Sequence, residues 1–71
     1  MPLDKKLITR QIEDAIDSHS LEYVLVIIEE IANEKAEHLA SNWQDDHAAK
    51  VWSKAANTVD LAALKIKKLG V

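Results

Sequence analysis

Apolar positions recur along this chain with the period of an α-helix. Leu7, Ile8, Ile12, Ala15 and Ile16 follow one another at spacings of one, four, three and one, which is a single helical stripe. The stripe predicts a first helix from about Leu3 to Asp17, with Asp4 placed to cap its start. Lys5 and Lys6 come early and Asp14 and Asp17 late, against the helix macrodipole, so this helix depends on packing more than on its own propensity. The pattern breaks at Ser18-His19-Ser20, where Ser20 can cap a second helix.

The second helix is expected from Leu21 to about Asn42. One of its rows is Leu21, Leu25, Ile28, Ala32, Ala36, Leu39 and Trp43, and a second is Val24, Ile27 and Ile31. A helix that is apolar over so wide an arc must be covered on more than one side. Tyr23, Val26 and Ile27 lie off the first row, either buried by a neighbouring helix or forming an interface with another chain. After a turn at Asn42-Trp43-Gln44-Asp45-Asp46, a third helix runs from about Asp46 to Leu69, with Gly70 in the C′ position. Its pattern is the most regular of all. Trp52, Val59 and Ile66 repeat every seven residues, as do Ala48, Ala55, Ala62 and Leu69, and as do Ala49, Ala56 and Ala63. Read as heptads, these rows are a, d and e. Two adjacent rows of small residues predict a tight antiparallel pairing, within the chain or between chains, with Ala55 and Ala56 at its centre.

The fold expected is therefore all-α: a three-helix bundle, or a long helical hairpin preceded by a shorter N-terminal helix. With 71 residues the chain makes a single domain. So short a chain buries only about 60% of its unfolded surface, and usually needs a disulfide, a metal or a partner. It has no cysteine, which excludes disulfides and thiolate metal sites and leaves regular packing or self-association. A homo-oligomer is the expectation. No apolar segment follows the basic residues near the start, and the longest apolar run is Val24 to Ile28, so a cytoplasmic protein without a membrane span is expected.

The net charge of −3 is unevenly distributed. Residues 11–46 hold ten acids against Lys35 alone, while residues 47–71 hold five lysines against Asp60. A mildly acidic whole, with Asp45 and Asp46 opening the third helix, argues against nucleic acid, because a recognition helix reads bases with its N-terminal residues. Glu34 and His38 stand one turn apart, but Lys35 occupies the position that a Glu-x-x-His metal site would need, so no metal is expected. With one glycine in the chain there is no phosphate-cradling loop and no nucleophile elbow, so neither an enzyme nor a bound cofactor is expected. The informative cluster is Lys35, His38, Asn42, Trp43, Gln44, Lys50 and Trp52, where an apolar row turns polar toward the second turn. Indole rings offer a stacking face and an N–H donor, and lysine offers a cation, so this end suits a ligand or a protein partner. The same residues would equally serve to close the end of a small core.

Ser20-Leu21-Glu22 with Val24-Leu25, then Glu34-Lys35-Ala36-Glu37-His38, then Ser41-Asn42-Trp43-Gln44-Asp45 and Lys50-x-Trp52 resemble short uncharacterised helical proteins of bacterial and phage genomes. The resemblance covers about residues 7–60 and is most specific from Lys35 to Asp45. It implies a small accessory protein and transfers no activity. The expected function is a non-enzymatic accessory or adaptor module that binds a protein partner through helical faces. Two alternatives stand beside it: a binder of a small nucleotide-like anion, and a purely structural oligomer.

Overall fold

The computed structural model describes residues 2–71, with side chains from Asp4 onward. It is all-helical, with α1 at Pro2–Ser18, α2 at Leu21–Ser41 and α3 at Asp46–Leu69. The boundaries follow local chemistry. Pro2 stands in the first turn of α1, where its missing N–H costs no helical bond. Asp4 lies inside that turn rather than at the cap expected for it, and its charge suits the positive end of the helix dipole. The Ser20 hydroxyl accepts from the Tyr23 N–H at 2.9 Å and starts α2. The Asp45 carboxylate accepts from the Ala48 N–H at 3.0 Å and starts α3. Gly70 ends α3 in the left-handed region (φ 78°), where an L side chain would be strained, and its N–H donates to the Lys67 carbonyl.

The helices α2 and α3 form an antiparallel hairpin. At one end the Glu22 N–H donates to the Val71 carbonyl at 3.2 Å, and at the other the Asp45 N–H donates to the Leu39 carbonyl at 3.0 Å. The seam between them is lined by alanine: Ala32 and Ala36 from α2, and Ala49, Ala56 and Ala63 from α3, are the buried residues. This shifts the register expected for α3. The row Ala49–Ala56–Ala63 forms the seam, Trp52–Val59–Ile66 lies at its margin, and Ala55 is exposed. Ala56, expected at the centre of a tight pairing within the chain or between chains, is 2% exposed and enclosed by its own hairpin. The reason is size: a methyl side chain lets two backbones approach until nothing else fits between them.

The first helix stands apart. It touches α2 near the connection through His19 and Ser20, and among the described residues it does not approach α3. Ala15 and Ile16 are half-buried, but Leu7, Ile8 and Ile12 are 59%, 53% and 43% exposed. The molecule measures 38 × 34 × 15 Å. A 24-residue helix accounts for about 36 Å of the first dimension. The second exceeds the roughly 20 Å width of two packed helices, so α1 projects from the hairpin as an arm. The radius of gyration, 14.2 Å, is accordingly larger than the ~11 Å of a compact chain of this length.

Replacing Ala56 by leucine should force the two helices apart and cost about 1–3 kcal/mol, read as a lower denaturation midpoint in urea. The same change at the exposed Ala40 should leave the midpoint nearly unchanged. Equal effects at both positions would show that the alanine seam does not set the hairpin's spacing.

Candidate functional site

At the end where α2 turns into α3, one histidine organises the polar residues. The Trp43 Nε1–H donates to His38 Nε2 at 3.0 Å, and the side-chain amide of Asn42 lies 2.7 Å from His38 Nδ1. An indole nitrogen only donates, so Nε2 must accept and the neutral ring carries its proton on Nδ1. The structure places Asn42 Nδ2 toward that Nδ1, and exchanging the nitrogen and oxygen of the amide lets Oδ1 accept its proton. The rings of His38 and Trp43 meet edge to face, 6.4 Å apart between centroids. Trp43 stays 69% exposed, so the bond holds the indole as a platform on the surface rather than as a plug in a core. Gln44 follows in the left-handed region (φ 51°), which turns the chain into α3.

The other residues expected at this end are placed separately. Lys35 and His38 line a shallow open groove along α2 with Ile31 and Glu34. Lys50 is exposed on α3, and Trp52 is 39% exposed at the margin of the seam. Neither hydrogen-bonds to the His38 trio among the described residues. Toward the opposite end of α2, Tyr23 stacks on His19 with centroids 4.3 Å apart. Tyr23 and Ile27 are exposed and Val26 is half-buried.

The two faces of the hairpin differ in chemistry. On one, Glu29 and Asn33 of α2 gather with Ser53, Asn57 and Asp60 of α3 around a small open cleft. Helical periodicity carries Val24, Ile28, Ile31 and Lys35 of α2, and Trp52, Val59 and Ile66 of α3, to the opposite face. Ile28 and Ile31 are 42% and 47% exposed there, and Ala55 and Ala62 of α3 are exposed on the same side. One face of the hairpin is thus polar, and the other is largely apolar around Lys35, with a row of small side chains.

On the polar face, two carboxyl groups meet. A side-chain hydrogen bond to Asp60 raises the Glu29 pKa above its ordinary value, and partial burial and repulsion from Asp60 and Glu30 push it the same way. A proton shared between two such carboxyls stabilises the pair, and its loss leaves two like charges facing each other. This pair was not expected from the sequence, although its signal lies there: Leu25, Glu29, Ala32, Ala36 and Leu39 follow a four-three-four-three spacing that puts an acid in the seam row.

No family model, no curated protein and no solved structure matches the chain.

Because the Glu29 pKa is raised on folding, the folded state binds this proton more tightly than the unfolded chain. Its contribution to stability is present below the ordinary glutamate value and is lost as pH rises through the folded-state value. Glu29→Gln should therefore melt higher than the parent at pH 7, with the difference shrinking as pH falls toward 4.5. Parallel melting curves at every pH would show that the two carboxyls do not interact. At the turn, Gln44→Gly should relieve left-handed strain and stabilise by up to about 1 kcal/mol, whereas Gln44→Val should destabilise by a similar amount. Calorimetry of the two variants checks this, and a stabilising valine would contradict it.

Proposed function

We propose that this chain is a non-enzymatic accessory or adaptor module of the cytoplasm, which works as a homo-oligomer and binds a protein partner through its helical faces. One observation carries the reading. The residues inside the fold are alanines, while Leu7, Ile8, Ile28, Ile31, Trp52 and Leu64 are among its exposed side chains. Large apolar side chains contribute roughly 1.5–3 kcal/mol each when removed from water, and an alanine methyl far less. Much of the large apolar surface encoded in this sequence is therefore still open to water, where another surface can cover it. Exposed apolar area on this scale marks protein interaction sites. The exposed indole of Trp43, held by His38, adds the type of side chain that dominates binding energy at interfaces.

The first experiment is light scattering over a hundredfold dilution, with circular dichroism in parallel. A helical dimer or larger assembly that loses helicity as it dissociates is the expected result. A chain that stays monomeric and fully helical throughout would overturn the reading.

A further inference from the structure

We infer that α1 is an exchanged arm: in the dimer it leaves its own hairpin and lies across the apolar face of the second copy. The inference rests on the self-association proposed above and names the surface and the architecture.

Two observations converge on a second copy as the occupant of that face. The first is area. The chain exposes 5888 Å². A compact protein of 8.0 kDa exposes about 4,450 Å². The excess is about 1,400 Å² per chain, or about 2,900 Å² for a pair, which falls within the roughly 2,000–5,000 Å² of permanent homodimers. The second is geometry. The arm stays clear of α3 in its own chain, with the stripe Leu7, Ile8 and Ile12 open to water. Seventeen residues of helix span about 25 Å, enough to cross the width of a two-helix hairpin. The open row of Ala55 and Ala62 lets a crossing helix approach closely. Because each copy offers both arm and face, a twofold axis satisfies the arrangement twice and closes the assembly at two chains.

The absence of cysteine makes the test free of background. Full-length Gln11→Cys, in the arm's stripe, is mixed with full-length Ala55→Cys, on the apolar face, and oxidised. The heterodisulfide is identified by mass, and Gln11→Cys mixed with Asn57→Cys, on the polar face, is the control. The inference expects the Gln11–Ala55 disulfide to form well in excess of the control. Because the two cysteines enter on different chains, the bond can only be intermolecular. A dimer by light scattering with no preferred Gln11–Ala55 disulfide would overturn the exchanged arm and leave self-association standing. A folded monomer would overturn both.

Discussion

The close approach of α2 to α3 is the constraint from which the rest of the structure follows. Alanine at Ala32, Ala36, Ala49, Ala56 and Ala63 brings the two backbones together, and that approach determines what remains outside. A seam of methyl groups gives dense packing and good dispersion contact but removes little apolar area from water. A hairpin joined in this way is geometrically well defined and energetically thin. The isoleucines, leucines and tryptophans that would fill the core of a larger protein sit on its flanks, where they meet solvent or another chain.

The flanks are chemically distinct, which gives the hairpin a direction. Polar side chains gather with the Glu29–Asp60 pair on one face, and apolar ones occupy the other. The carboxyl pair fits the polar face because water reaches it there. Two acids facing each other across a covered apolar surface would have no solvent to relieve their repulsion. A second copy stacked on the polar face would bury them, whereas one on the apolar face leaves them open.

The connections complete the arrangement. The link to α1 is the two residues His19 and Ser20, and α1 leaves the hairpin as an arm. The turn between α2 and α3 is stiffened by the Trp43–His38–Asn42 hydrogen bonds and by the left-handed Gln44. A stiffened turn keeps the indole of Trp43 at a constant position relative to the seam.

Much of the fold was legible in the sequence because its causes are local. Ser20, Asp45 and Gly70 act on the backbone within a few residues of themselves, and the boundaries of α2 and α3 lie where those residues place them. The three seven-residue rows of α3 likewise follow from helical geometry alone. Which row forms the seam was not legible. Ala55 and Ala56 are chemically identical neighbours, and only the approach of α2 encloses one and exposes the other. The meeting of Glu29 with Asp60 and the separation of α1 from α3 are of the same kind, since each depends on groups far apart in the chain. Helical periodicity determines which residues share a face; the choice of the face that meets a partner belongs to tertiary structure, because burial is a property of two surfaces and a single helix carries only one of them.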